Sequence, residues 1–190
     1  MIYLIIYAHP NPKSFCHAIK DEIETKIKQQ GGELVVRDLY QQGFNPVLSS
    51  GDFVQFLQHT PPADIQKEQE LIRKADRLIF VYPVWWFSMP AILKGYIDRV
   101  FSRGFAYDYE GHSIKGLLAG KEVMIFSTTG GPRIAYYLAG YKAAIKMTIA
   151  AGIFKFCGMR VLLHKYFYAV PAITDAARKK MLTGIRKINF

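Results

Sequence analysis

Five short apolar runs, each of strand length, are spaced along the chain, with segments of helical periodicity between them. Unbroken runs rich in β-branched and aromatic residues are typical of strands buried on both faces of a parallel sheet. Their alternation with helices predicts a sheet that is covered by helices on both sides. The predicted strands are Ile2–Tyr7, Glu33–Asp38, Leu78–Tyr82, Glu122–Ser127 and Arg160–Leu163.

Helix-end signals place one helix after each of these strands. Ser14 is suited to cap the first helix and Gly31-Gly32 to end it, while Pro90 fits the first turn of a helix that reaches Val100. The other predicted helices are about Ala63–Ala75, about Ala135–Ala151, and a last one capped by Thr174 and Asp175 that runs to about Ile188.

Five strands joined by right-handed crossovers leave few topologies, and the commonest is the flavodoxin-like order 2-1-3-4-5. We therefore predict an α/β fold, a flavodoxin-like three-layer sandwich with a five-stranded parallel sheet, formed by one domain over residues 1–190. Two connections are predicted as loops, Leu39–Pro62 and Ser102–Gly120. The first is unusually long, which more often indicates a functional or interface role than slack.

Composition argues against several other classes of protein. The net charge of +10 arises from 25 basic and 15 acidic residues, but these are dispersed and accompany no nucleic-acid motif. Cys16 and Cys157 have no CxxC or CxxH spacing, so we expect neither a metal site nor a disulfide framework. No apolar stretch reaches the ~20 residues of a membrane span, and the first residues form a strand and not a signal peptide. We expect a cytoplasmic protein that neither binds nucleic acid nor inserts in a membrane.

The loops after strands 1, 3 and 4 are the most unusual, and in this strand order they converge on one crevice. The first has neither GxGxxG nor GxxxxGK[ST], but it carries His9 and Ser14 at a helix start, where free backbone N–H groups suit phosphate. The second, Trp85–Phe87, could wall a flat ring, or alternatively form an aromatic plug or a dimer contact. The third, Thr128–Gly131, allows its backbone to approach a ring edge closely. Together the three loops predict a flavin site.

Four motifs resemble those of the NAD(P)H:quinone oxidoreductases of the DT-diaphorase type, including their short bacterial members. They are HPNPKSF (9 to 15), YPVWWFSMPAILKGYIDRVFSRGFAY (82 to 107), STTGGP (127 to 132) and FCGM (156 to 159). The resemblance covers most of the chain, and the second motif is long enough to be highly specific. It implies hydride transfer from NAD(P)H through a flavin to quinones by a ping-pong mechanism, with FAD as the favoured flavin and FMN as the alternative.

The same resemblance implies roles for individual residues. Flavin binding is implied for His9, Ser14, Phe15, Cys16, Ala18, Pro83, Val84, Trp85, Trp86, Phe87, Thr128, Thr129, Gly130, Gly131 and Tyr136. Tyr136 is also the implied catalytic residue, because it matches a tyrosine that hydrogen-bonds the flavin. No histidine follows it at the position where better-known members have one, so a tyrosine–histidine relay is not predicted. Arg178 matches an arginine near the adenine of FAD in the longer members.

A dimer is implied as well, because the family shares its substrate pockets between subunits. Phe105, Tyr107 and Tyr109 alternate as though one face of an extended segment were apolar, and a monomer would expose that face. We expect a homodimer in which Tyr107, Tyr109 and Phe156 reach the partner's pocket. The residues implied in substrate binding are Trp86, Phe87, Gly130, Gly131, Tyr107, Tyr109 and Phe156.

Two other functions fit parts of the pattern. A one-electron carrier of the flavodoxin kind would share the fold, but flavodoxins are typically acidic and this chain is strongly basic. An ancillary flavoprotein subunit of a potassium-efflux system would share both fold and motifs, and the basic surface permits an acidic partner. An azo- or nitroreductase is a variant of the main hypothesis.

Overall fold

A computed structural model describes the whole chain, Met1 to Phe190. Its strands are β1 (Ile2–Tyr7), β2 (Glu33–Asp38), β3 (Arg77–Pro83), β4 (Tyr107–Glu110), β5 (Ser113–Gly116), β6 (Glu122–Thr128) and β7 (Arg160–Phe167). Its α-helices are α1 (Phe15–Gln29), α2 (Ser50–Leu57), α3 (Ala63–Lys74), α4 (Ala91–Val100), α5 (Arg133–Leu138), α6 (Tyr141–Ile145) and α7 (Asp175–Ile185). A π-helical segment, Lys146–Lys155, continues α6, and a short 3₁₀ turn covers Val170–Ala172.

Five strands form one parallel sheet in the order β2-β1-β3-β6-β7. The other two, β4 and β5, pair with each other as a separate antiparallel hairpin. The sheet therefore has the predicted order 2-1-3-4-5 once its own strands are numbered, and the flavodoxin-like topology is confirmed. All of β3 is buried, as expected for a central strand with helices on both faces.

Two apolar cores lie on opposite faces of the sheet. One joins the sheet to α3, α4 and the π-helical segment, through side chains such as Ile65, Leu93 and Phe154. The other joins it to α1 and α7, through Ile19, Ile23 and Ile185. Burial of each side chain of this size stabilises the fold by about 1.5–3 kcal/mol. The two cores together therefore fix the positions of the strands and of the loops at their carboxyl ends. No helix of the chain has the length and apolarity needed to cross a membrane.

Both connections that we predicted as loops contain regular structure. The Leu39–Pro62 connection includes α2, which begins with a capping box between Ser49 and Asp52, and the Ser102–Gly120 connection includes the β4–β5 hairpin. The prediction was wrong for α2 because Phe53, Val54 and Leu57 are exposed and give the segment no single buried stripe.

Three element boundaries also differ from prediction. The single helix predicted over Ala135–Ala151 is interrupted at Gly140, whose φ of 72° is left-handed, so the chain forms α5, then α6, then the π-helical segment. Strand β7 continues past Leu163 to Phe167. Helix α7 has the predicted Thr174 cap but ends at Ile185.

A buried ion pair fixes α2 against α4. The Arg99 guanidinium donates hydrogen bonds to both carboxylate oxygens of Asp52, at 2.9 Å and 3.2 Å, and to Asp64 at 2.7 Å and the Asn45 carbonyl at 2.9 Å. Arg99 and Asp52 are only 4% and 5% exposed, so neither charge has water as an alternative partner. The Arg99 hydrogen bonds hold the pKa of Asp52 below its ordinary value.

We expect Arg99→Met to lower the free energy of unfolding by about 3 kcal/mol, because it leaves the Asp52 carboxylate buried without its partner. Urea denaturation at pH 7 measures this loss. The matched control is Arg103→Met, which removes an exposed pair with Asp108 and should leave stability nearly unchanged. Equal effects of the two substitutions would contradict the role assigned to the buried pair.

Candidate functional site

The first loop, between β1 and α1, presents backbone donors at the start of a helix. The Ser14 hydroxyl oxygen accepts a hydrogen bond from the His17 backbone N–H at 3.1 Å and so caps α1. The N–H groups of Phe15 and Cys16 precede the first intrahelical hydrogen bonds, and no carbonyl within the helix can accept from them. Together with the positive end of the helix dipole they form a place for an anion.

His9 adds a neutral donor to this loop. Its Nδ1 accepts a hydrogen bond from the Asn11 backbone N–H at 3.0 Å, so the neutral ring carries its proton on Nε2. Partial burial lowers the pKa of His9, which favours that neutral form. The ring lies edge-on to Trp85, with centroids 5.8 Å apart, and therefore links the first loop to the second.

The second loop is a tight turn between Trp85 and Ser88, which exchange two backbone hydrogen bonds of 3.0 Å. The central residues, Trp86 and Phe87, have φ values of 48° and 58°. This left-handed conformation costs a residue other than glycine about 1–2 kcal/mol, and such strain concentrates at ligand sites. Trp86 is 94% exposed, so its own packing does not offset the cost.

The third loop, Thr128–Gly131, is anchored on both sides. The Thr128 carbonyl accepts a hydrogen bond from the Val84 N–H at 2.8 Å, and the Thr129 N–H donates to the Phe167 carbonyl at 2.8 Å. A Cβ on Gly131 would lie 3.1 Å from the Tyr136 ring, so this glycine makes room for that ring, whereas Gly130 faces open space.

These three loops enclose a cleft of about 300 Å³ at the carboxyl edge of the sheet. Cys16 also joins two of them, because its buried Sγ lies 3.2 Å from Thr128 Oγ1. Burial raises the pKa of Cys16 to about 12, so it is a thiol in hydrogen-bond contact with the third loop and not an anion. The cleft is lined by His9, Phe15, Cys16, Pro83, Val84, Trp85, Thr128, Thr129, Gly130, Val170 and Pro171.

Most of the predicted flavin-binding residues therefore meet in one place. Those that do not line the cleft wall are Ser14, Ala18, Trp86, Phe87, Gly131 and Tyr136. Ser14 shapes the cleft indirectly by capping α1, and Gly131 does so by leaving room for the Tyr136 ring. Ala18 is half-buried further along α1.

Val170 and Pro171 belong to the cleft but were not predicted. The Val170 carbonyl accepts a hydrogen bond from Arg178 at 2.7 Å, and Arg178 also donates to Asp175. Arg178 therefore stabilises this wall of the cleft. The sequence did contain a signal for this wall. Pro171 marks a turn after the fifth strand of the sheet, and that turn lies at the same carboxyl ends of the strands as the three loops.

Tyr136 lies beneath the second and third loops in a group of aromatic rings. It is 7% exposed, and its ring centroid lies 5.8 Å from those of Phe87 and Tyr168. Phe87 in turn stacks on Tyr141 with centroids 3.7 Å apart. Burial, and then the neighbouring Tyr168, raise the pKa of Tyr136, so its phenol stays protonated near neutrality.

Tyr107, Tyr109 and Phe156 form a second aromatic cluster. The Tyr107 ring lies 5.3 Å from Phe156 and 6.4 Å from Tyr109, and Tyr109 is 55% exposed. The cluster shares no residue with the cleft. The expected exposure of Phe105 was wrong, because its side chain turns inward and is only 8% exposed.

A larger cavity of about 390 Å³ lies beside this second cluster and α2. Its lining includes Phe53, Leu57 and Tyr109, with none of the residues of the three loops. We place the candidate site in the smaller cleft, because there helix-start donors, aromatic walls and a glycine loop converge.

The residues of the cleft fit a flavin. Backbone donors and the His9 N–H suit a phosphate, aromatic faces suit a flat ring, and the open space at Gly130 lets backbone approach that ring. The Cys16 side chain is turned to Thr128, so this residue offers only its backbone N–H to a phosphate.

Comparison with known proteins agrees with this geometry. A family model described as a flavodoxin-like fold matches residues 1–188. A Haemophilus influenzae protein named an uncharacterized NAD(P)H oxidoreductase is 40% identical over 183 residues, covering 96% of this chain and 91% of that protein. Human ribosyldihydronicotinamide dehydrogenase (quinone) is 34% identical over 201 residues, covering 95% and 87%. The structure of the NAD(P)H:quinone oxidoreductase from Methanothermobacter marburgensis has a TM-score of 0.87 at 26% identity, covering 98% and 96%.

We expect Trp86→Asn to raise the free energy of unfolding of the flavin-free chain by about 1 kcal/mol, because asparagine tolerates the left-handed conformation better. Urea denaturation measures the change. The control, Trp85→Asn, lies at a position without positive φ and removes the His9 contact, so it should destabilise. A loss of stability in Trp86→Asn as large as in the control would contradict strain in this turn.

Proposed function

We propose that this chain, which belongs to the family with a flavodoxin-like fold that it matches over residues 1–188, is a flavin-dependent NAD(P)H dehydrogenase acting on quinones. The observation that carries the proposal is the cleft, where a helix start, a strained aromatic turn and a glycine loop meet at one sheet edge. Relatives named as quinone-dependent enzymes support the same activity.

The flavin is held by different groups at its two ends. The N–H groups of Phe15 and Cys16, with the His9 Nε2–H, would bind phosphate, while Trp85 and the Thr128–Gly131 backbone would bind the ring. We propose FAD as the flavin, because the connection Leu39–Pro62 with its FNPVLS sequence resembles that of FAD-binding members. Mass spectrometry of the released cofactor distinguishes FAD from FMN.

A bound flavin supplies two-electron chemistry, accepting a hydride from NAD(P)H and passing it to a quinone. The N–H groups of Gly130 and Gly131, which have no acceptor within the chain, would stabilise negative charge on a bound ring. Tyr136 keeps its phenolic proton near neutral pH and can donate it to a substrate oxygen. Because a single cleft receives both substrates in turn, we propose ping-pong kinetics.

Anaerobic stopped-flow mixing of the flavin-loaded protein with NADPH, and in parallel with NADH, tests the proposal. We expect the flavin absorbance to bleach and added quinone to restore it. Tyr136→Phe should retain flavin but lose about tenfold to a hundredfold in the quinone step, because the proton donor is gone. If neither NADPH nor NADH bleaches the flavin absorbance, the proposed enzyme activity is overturned and an electron carrier is the better explanation.

We also propose that the working enzyme is a homodimer with shared sites. Helix α5, which carries Tyr136, exposes Ile134, Tyr137 and Leu138 by 62%, 70% and 78%. Apolar residues grouped on one short helix indicate a contact surface. A second copy docked there brings its Tyr107, Tyr109 and Phe156 cluster towards the cleft, in agreement with the exposure of Tyr109 and its absence from the cleft of its own subunit.

Mixing two inactive variants tests this sharing. Tyr109→Ala and Tyr136→Phe homodimers should each lose at least about tenfold in quinone turnover, by loss of packing and of the proton donor respectively. When the two are unfolded, mixed in equal amounts and refolded, heterodimers should restore about a quarter of wild-type activity, since each carries one intact site. The control for subunit exchange is the double variant Tyr109→Ala/Tyr136→Phe refolded with wild type, because none of its heterodimers has an intact site. No recovery in the mixture would place both residues in the site of one subunit.

A further inference from the structure

The excess positive charge of this protein comes entirely from the last third of the chain. Residues 1–122 hold 14 basic and 14 acidic residues, whereas residues 123–190 hold 11 basic residues and a single acidic one, Asp175. No Asp or Glu occurs between Glu122 and Asp175. The net charge of +10 therefore belongs to one part of the fold, although its residues are spread over several elements.

This part of the chain forms one side of the molecule. Strand β7 is an edge strand, which pairs only with β6. The π-helical segment packs on one face of the sheet through Ile149 and Phe154, and α7 packs on the other face through Ile185. The π-helical segment, β7 and α7 therefore surround the same edge of the sheet.

The lysines on this side have no carboxylate partner. Three of its four arginines each pair with a carboxylate, whereas the fourth, Arg133, lies on α5, which we assign to the subunit contact. None of its seven lysines pairs with an Asp or Glu, and all but the half-buried Lys165 are exposed. We call these seven residues the lysine side: Lys142, Lys146, Lys155, Lys165, Lys179, Lys180 and Lys187.

The positive charge of the lysine side also acts inside the protein. His164 lies on β7 and is partly buried. Burial, followed by the charges of Lys142 and Lys146, lowers the pKa of His164 to about 4, and no acidic group counteracts the two lysines there. The lysine side is therefore a region of positive potential that the protein itself does not neutralise.

The arrangement of these charges indicates an extended anion as the partner. No lysine of this side lines one of the larger cavities, so the charges do not converge on a small ligand such as a nucleotide. Nucleic-acid recognition favours arginine, whose planar group donates hydrogen bonds in pairs to phosphates and bases, whereas a lysine is a hydrated point charge. Separate lysines suit diffuse attraction to the many phosphates of a lipid surface.

We propose that the lysine side docks this protein on the surface of an anionic lipid bilayer, without insertion of any helix. Exposed apolar side chains lie among the lysines, since Met147 next to Lys146 is 71% exposed and Leu162 on β7 is 37% exposed. Surfaces that bind bilayers combine cations with apolar side chains in this way. The choice of a bilayer over an acidic protein rests on the proposed function, because apolar quinones dissolve in the bilayer and docking would hold their reductase beside them.

Co-sedimentation of the full, flavin-loaded chain with lipid vesicles tests the proposal. The vesicles contain either equal parts of phosphatidylglycerol and phosphatidylcholine, or phosphatidylcholine alone. We expect binding to the anionic vesicles to be at least about tenfold tighter than binding to the zwitterionic ones. The difference should disappear in about 0.5 M NaCl, because salt screens the attraction between exposed charges. A basic side that only keeps the protein in solution would bind neither kind of vesicle.

Charge reversal locates the docking surface. Lys179→Glu/Lys180→Glu changes two exposed, unpaired lysines of α7 and should weaken binding to the anionic vesicles at least about tenfold. The matched control is Lys67→Glu/Lys74→Glu, which makes the same change of charge at exposed, unpaired lysines of α3, in the neutral part of the chain. The control should weaken binding by less than about threefold, and both variants should keep their turnover of a water-soluble quinone within about twofold.

Three results would overturn the proposal: equal binding to both kinds of vesicle, binding to neither, or an equal loss in the two double variants. Polyglutamate and duplex DNA, supplied at the same anionic charge, test the other partners. Tighter binding to polyglutamate than to the anionic vesicles would replace the lipid by an acidic protein, and tighter binding to DNA would replace it by a nucleic acid. Vesicle binding does not require catalysis, so a protein that fails to oxidise NAD(P)H would overturn the proposed function while the docking is still tested.

Discussion

The pairing of β1 with β2 on one side and β3 on the other is the constraint on which the site depends. The chain leaves β1 for α1 on one face of the sheet, and it leaves β3 for α4 on the other. The two loops therefore separate at the sheet edge and leave a crevice between them. Strand β6 beside β3 adds the third loop to the same crevice. Because β3 is buried on both faces, this edge cannot shift without exposing apolar surface in both cores.

Local contacts turn the crevice into a shaped cleft. Backbone hydrogen bonds from Val84 to Thr128 and from Thr129 to Phe167 join neighbouring strand ends, and the Cys16 thiol joins α1 to β6. These contacts fix the ends of the Trp85–Ser88 turn and so maintain the strained, left-handed conformation of Trp86 and Phe87. The backbone strain of this turn destabilises the free chain, and contacts between the turn and the ring of a ligand can offset that strain. The same rigidity places Tyr136 against Gly131, where a side chain would crowd the ring.

Sequence periodicity predicted the sheet and its strand order, whereas the composition of three loops and the resemblance to the quinone oxidoreductases predicted most of the residues that line the cleft. Leu78–Tyr82 is apolar throughout, and only the centre of a parallel sheet buries such a run on both faces. Helix α2 was missed because its apolar side chains form no buried stripe, and its one buried residue, Asp52, pairs with Arg99, which lies far along the chain. The break at Gly140 had a local signal, because a left-handed glycine ends a helix, whereas the π-helical segment packs against β7 and has no such signal in the sequence. Val170 and Pro171 enter the cleft through the turn after β7, for which Pro171 was a signal in the sequence, whereas the Arg178 contact and the packing of Tyr168 on Tyr136 are visible only in three dimensions.

The central claim is that the three loops form one flavin-binding cleft, and backbone NMR of the full chain titrated with FAD tests it most directly. The claim predicts shifts in the amide resonances of Phe15 and Cys16, of the Trp85–Phe87 turn, and of Thr129–Gly131, all saturating at one flavin per chain. Shifts confined to the larger cavity around Phe53 and Leu57, with the three loops unaffected, would contradict it.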